Sequence, residues 1–418
     1  MTKELYKNKL YFALVTILTG MILLAIGIDG PISMLKGFLQ IQIHPSRLIN
    51  DYFIVGGIGG ALFNASLVGI IGLFIISITG ISLSGPTFAA VLTMTGFGLF
   101  GKTSLNVIPI ILGVFLAAKI VNKSYKEYLL IALFGTALGP LVNTLIWETG
   151  LSLIYSLPLG LIVGICTGLL LPAIAFAMLH LHQGYNLYNM GLSCGFLGLF
   201  AFSMLKGFGT DYNATLLWSN KTSLPMVLLI PLLSLFLILL GLLPFKKKTV
   251  KDFFYIQTLS GRLPSDFTDL ASPESTLVNS GIIGLLFSLY IWIIGGDFNG
   301  PVIGGLFTII GFAAFGTHIK NSWPVILGVI IATLVSGQSL TSPGPLLALI
   351  FSTTLSPLAG EFGVKAGVIA GFIHMLLVSQ TTHWYGGINL YNNGFAGGLT
   401  ATFLIAVIQW YKSNKEEI

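Results

Sequence analysis

The sequence predicts an all-α polytopic membrane protein built from two homologous repeats of about seven apolar elements each, the second inverted relative to the first. Three observations carry this. The chain has 418 residues, of which 55% are hydrophobic and 8% charged, with a mean hydropathy of +0.92, whereas a soluble domain carries about a quarter charged residues. Residues 64–117 align with 279–332 at a constant offset of 215, without a gap and with 19 of 54 positions identical. Helix breakers recur at matching places, as Gly85-Pro86 and Gly300-Pro301, and as Gly139-Pro140 and Ser356-Pro357. Duplicated membrane segments with breakers in matching positions are a signature of transporters and channels.

The apolar run at 10–28 follows Lys3, Lys7 and Lys9, an arrangement shared with signal peptides. Asp29-Gly30-Pro31 stands where a small-residue cleavage site would be, so the run is read as a retained helix. Six further runs follow at about 53–79, 85–100, 107–121, 127–147, 155–179 and 187–205. The second series lies at about 225–244, 277–296, 300–316, 323–337, 343–358, 360–378 and 388–411. Several fall short of the ~20 residues a full span needs. A proline inside a run removes a donor and interrupts the helix. Backbone freed in a bilayer must be buried in protein or line a watery cavity, so the breaks point to a central site.

The second block of the duplication runs at an offset of 203. It pairs Gly160, Gly164 and Gly168 with Gly363, Gly367 and Gly371, then His180 and Asn186-Leu187-Tyr188-Asn189 with His383 and Asn389-Leu390-Tyr391-Asn392. The glycine ladders read as helix-packing faces. If 127–147 and 343–358 cross, each repeat has seven spans and the repeats are inverted; if they re-enter, the repeats are parallel. With seven crossings and cytoplasmic termini, fifteen of the 20 Lys and Arg fall inside, and Lys36, Arg47, Lys102, Lys206 and Lys221 outside, which obeys the positive-inside bias. The halves are expected at 1–224 and 225–418, with a polar cytoplasmic loop at 245–276.

Asn186, Tyr188 and Asn189, with Asn389, Tyr391 and Asn392, place amides at i and i+3 on a helix start. Such groups in lipid need a partner or a ligand. They and Asn64 and Asn279 are candidates for a polar pathway; helix-to-helix glue is the competing reading. Ser84 and Asn299 open helices beside the Gly-Pro breaks, where free N–H groups can hold an anionic or carbonyl group or simply be capped. Asp297 has Ser82 as its counterpart, so the fold does not require its charge; coupling and a loop position compete for it. His180 and His383 are candidate proton relays or interfacial side chains. His374 has Leu171 as its counterpart, which weakens a fold-wide role. Cys166 and Cys194 form no metal pattern. Walker, zinc, nucleophile-elbow and dinucleotide motifs do not occur, so no catalytic residue, metal or cofactor is expected, nor a nucleic-acid partner.

The Asn64-x4-Gly69 opening, the Gly-Pro…Gly-Phe…Phe-Gly block and the Asn-Leu-Tyr-Asn-x-Gly motif resemble those of an uncharacterised family of bacterial multi-pass membrane proteins, a domain of unknown function. Asn64-Ala65-Ser66-Leu67-Val68-Gly69 is faintly similar to a stretch of urea-transporter-type channels, without their Leu-Pro pore signature. The expectation is a secondary permease in the cell membrane for a small polar solute, neutral or zwitterionic because fixed charges are scarce. A pore for urea-like solutes is the alternative, and a membrane enzyme or a scaffold ranks lower. Oligomerisation is left open.

Overall fold

The computed structural model describes residues 9–209 and 215–416. Lys3 and Lys7, counted above as cytoplasmic, lie outside the described residues. The first half contains α1 (Lys9–Gln42), α2 (Tyr52–Thr79), α3 (Gly85–Phe97), α4 (Ser104–Ile120), α5 (Tyr125–Gly135), α6 (Gly139–Trp147), α7 (Leu153–His182) and α8 (Asn189–Gly207). The second contains α9 (Leu224–Leu242), α10 (Lys247–Ile256), α11 (Phe267–Leu270), α12 (Pro273–Ile293), α13 (Gly300–Phe312), α14 (Ile319–Val335), α15 (Pro343–Phe351), α16 (Ser356–Phe362), α17 (Val364–Thr381) and α18 (Asn392–Glu416). Among the described residues, no strand forms beyond the isolated bridge Asn50–Leu217.

Ten helical stretches among the described residues are long and apolar enough to cross a membrane, so the chain is a multi-pass membrane protein. That is fewer than the fourteen apolar segments of the sequence, because four of those form short helices. The stretch 245–276, expected to be a loop, instead holds α10 and α11. Tyr125–Trp147 and Pro343–Phe362 each count as one stretch long enough to cross. Inside them, 3₁₀ turns at Thr136–Leu138 and Ser352–Leu355 join α5 to α6 and α15 to α16.

The repeat partners make matching bonds. Gln42 Nε2 donates to Asn64 Oδ1 at 3.0 Å, and Gln257 Nε2 to Asn279 Oδ1 at 3.0 Å. Asn64 Nδ2 donates to the carbonyls of Gly98 (2.7 Å) and Lys102 (2.9 Å), and Asn279 Nδ2 to those of Ala313 (2.8 Å) and Thr317 (2.9 Å). Asn106 and Asn321 cap the following helices and donate to Gly101 and Gly316 oxygens. The turns after α3 and α13 are buried backbone, and these amides satisfy the carbonyls that no helix uses.

At 13 residues each, α3 and α13 are about 20 Å long, short of the ~30 Å hydrocarbon core. Nearly every residue of both is buried, as expected of helices apolar all round. They lie side by side in opposite directions. A Cβ on Gly96 would meet the Gly304 carbonyl, one on Gly311 would meet Ala89, and one on Gly85 the Ala314 carbonyl. Only glycine lets the backbones approach this closely. The α8 and α18 starts meet likewise at Gly191 and Gly394.

Candidate functional site

A cavity of about 610 Å³ lies where α3, α13, α8 and α18 converge. Its walls are repeat pairs. Phe97 stands edge-on to Tyr391, centroids 4.7 Å apart, and its partner Phe312 stands edge-on to Tyr188 at 4.2 Å. Phe351 and Phe134 back these pairs, each 5.7 Å from Phe97 and Phe312 respectively. Thr93 and its partner Thr308 also line the wall. Thr308 Oγ1 donates to the Gly304 carbonyl at 2.9 Å, whereas Thr93 Oγ1 is buried without a partner.

The mouth is one-sided. Arg262, Leu263, Pro264 and Ser265, with His180, Gln183 and Gly184, line it. Their counterparts Arg47, Leu48, Ile49 and Asn50, with His383, Gly386 and Gly387, do not. There the chain is sealed: Arg47 pairs with Glu148 at 2.6 Å, Tyr52 donates to Ser46 Oγ at 2.6 Å, and Asn143 Nδ2 to the His44 carbonyl at 2.8 Å. Ile49 pairs with the inter-repeat segment, its N–H donating to the Thr215 carbonyl and its carbonyl accepting from Leu217 N–H, both at 2.9 Å. Burial and the Arg47 guanidinium push the His44 pKa down, consistent with a neutral ring whose Nδ1 accepts from Ser46 N–H. At the open mouth Arg262 is exposed, with Nε 2.9 Å from the Gln183 carbonyl.

Of the residues singled out in the sequence, Tyr188, Asn189, Tyr391 and His180 line the cavity. Asn189 also bonds His182 Nε2 at 2.9 Å, and Asn392, its counterpart, accepts from Tyr385 and from Thr381 at 2.6 Å. These two amides tie α7 to α8 and α17 to α18. Asn186 is spent on Thr354 and the Tyr188 carbonyl; Asn389 accepts from Tyr391 N–H, and its Nδ2 is buried without a partner. Asn64 and Asn279 hold the buried turns, away from the cavity. His383 is exposed and outside it. Asp297 sits between α12 and α13, its Oδ2 accepting from Trp218 Nε1 at 2.8 Å, so the loop position competing with a coupling role is the one observed.

Ser84 and Asn299 are N-caps whose helix ends already carry a carboxylate. Asp266 accepts from Gly85 N–H at 3.1 Å, and Asp51 from Gly300 N–H at 3.2 Å. Each repeat thus inserts an acid at the positive end of the other repeat's short helix. Burial raises the Asp51 pKa to about 6 against three backbone donors that lower it. Asp51→Ala should lower stability by about 2 kcal/mol, since it removes charge-assisted bonds from buried N–H groups. Chemical denaturation in micelles reads this, and an unchanged midpoint refutes the capping role.

Two groups at the site escaped the sequence reading. Lys102, placed outside in the charge count, is fully buried, and its Nζ donates to Tyr391 Oη at 2.7 Å. Its counterpart is Thr317, the kind of asymmetry that singles out Asp297. Asn393 lines the cavity and bonds His374 Nε2 at 3.2 Å, where the other repeat has Met190 and Leu171.

No curated protein and no solved structure matches the chain. The family model described as a protein of unknown function, DUF1576, matches residues 31–207 and 245–410, each segment carrying one copy of the cavity wall. With most of its length covered by that match, the chain belongs to the DUF1576 family.

Proposed function

We propose that the protein is a secondary transporter for a small solute, with inverted repeats at about 1–224 and 225–418 and its site at their interface. The observation that carries the reading is the cavity itself, walled by repeat pairs and open on one side only. Antiparallel packing of α3 on its own counterpart α13 supports the inverted relation, because a two-fold axis across a helix pair reverses its direction. Arg262 at the mouth and the basic run Lys246 to Lys248 earlier in the same connecting segment support a cytoplasmic mouth and cytoplasmic termini. A cavity open on one side favours alternating access over a continuous pore. In this reading the two mouths exchange conformations, and the protein performs no catalytic step.

Cysteine labelling tests it. Ser265 lines the mouth and Asn50, its counterpart, is sealed. In a Cys166→Ser background, Ser265→Cys is expected to react with an impermeant maleimide from the cytoplasmic side. Asn50→Cys should react from the opposite side only, at least ten-fold more slowly, and faster once Arg47→Ala removes the seal. Equal, simultaneous labelling of both positions would instead identify a pore, and no labelling of either a scaffold.

A further inference from the structure

We infer that the cavity takes a small ring-bearing monoanion, such as an aromatic carboxylate, rather than a neutral or zwitterionic solute; this rests on the transport reading of the same site. The scarcity of fixed charge that pointed to a neutral solute overlooks Lys102. Its amine is 0% exposed, and among the described residues no carboxylate lies within 4 Å of it. An ionisable group without a counter-ion at membrane depth is costly to keep and marks a functional position, and a bound anion would stabilise its ammonium form.

Lys102 reaches the cavity through Tyr391. The amine lies 4.8 Å from the Tyr391 ring centroid and 5.6 Å from that of Phe97. The Tyr391 oxygen accepts from Nζ, and its own hydrogen has no acceptor among the described residues. That O–H is a donor whose oxygen already accepts from an amine, a chain of bonds that strengthens it toward a carboxylate oxygen. Thr93, one turn before Phe97 on α3, offers a second hydroxyl, 1% exposed and without a partner. Among the described residues no Asp or Glu lines the cavity, and Arg262 stands at its mouth, so the lining itself carries no group that would repel an anion. The edge-on ring pairs Phe97–Tyr391 and Phe312–Tyr188 form walls that a flat ring can contact by edge and face.

Ligand-induced thermal stabilisation of the purified full chain decides the matter. The probes are benzoate and 2-naphthoate, their amides, benzylamine and acetate. The acids are expected to half-saturate at concentrations at least ten-fold below their amides, with benzylamine and acetate inactive. Lys102→Met and Tyr391→Phe should each erase the preference for acid over amide; Tyr391→Phe keeps the ring and serves if Lys102→Met fails to fold. Equal binding of acids and amides, binding of benzylamine, a preference that survives both variants, or no binding of any ring probe overturns the inference. Flux of a bound acid in proteoliposomes is read separately. Acid-selective binding without flux leaves the ligand class standing and removes the transport reading beneath it.

Discussion

Gly304→Val is expected to abolish recovery of folded protein. Gly304 faces the Gly96 carbonyl across the α3–α13 contact, and a Cβ there would collide with backbone, which has no rotamer to give way. Overpacking against movable side chains already costs about 1–3 kcal/mol; against a helix backbone the pair must separate, and the contact between the halves goes with it. Gly207→Val is the control, because nothing lies within 4 Å of a Cβ at that position. Monodispersity after detergent extraction measures both. A monodisperse Gly304→Val protein with wild-type melting would show that the halves do not depend on this crossing.

Asn64→Ala should destabilise the chain by roughly 2–6 kcal/mol, since the Gly98 and Lys102 carbonyls both lose their donor and a buried unsatisfied group costs ~1–3 kcal/mol. Asn64→Asp should be worse than Asn64→Ala, because it points a carboxylate at two carbonyl oxygens. The same order is expected at Asn279, whose bonds match within 0.1 Å. The measurement is unfolding midpoint in micelles for the four variants. If instead Asn64→Ala melts like wild type while uptake falls, Asn64 belongs to the solute pathway and its bonds to the turn are incidental.

The general architecture was legible because membrane burial and duplication both leave marks that survive without an alignment. The offset of 215 located α3 and α13, and the Gly-Pro pairs located their first turns. What sequence spacing could not separate was an amide that satisfies backbone from one that faces a solute. Asn64, Asn186 and Asn392 have the composition of ligand groups, yet the bonds that consume them come from residues up to 208 positions away. The free helix ends at Ser84 and Asn299 were misleading for a related reason. Their anions are supplied by Asp266 and Asp51 from the opposite repeat, a contact no local pattern reveals. Lys102 was hidden by topology: a lysine between two short apolar runs looks like a loop charge until those runs prove too short to bring it to the surface.

The crossed carboxylates have a further consequence. Asp51 reaches Gly300 while Asp266 reaches Gly85, and Leu48 bonds Gly387 while Leu263 bonds Gly184. Residue i of one half meets residue j of the other, and j meets i. That reciprocity defines an isologous interface, the kind that joins the subunits of a two-fold homodimer. Within one polypeptide, these contacts thus join the two halves as a two-fold interface joins identical subunits. Lys102 opposite Thr317 departs from that symmetry: two identical subunits would carry this lysine twice or not at all, and one polypeptide can carry it once.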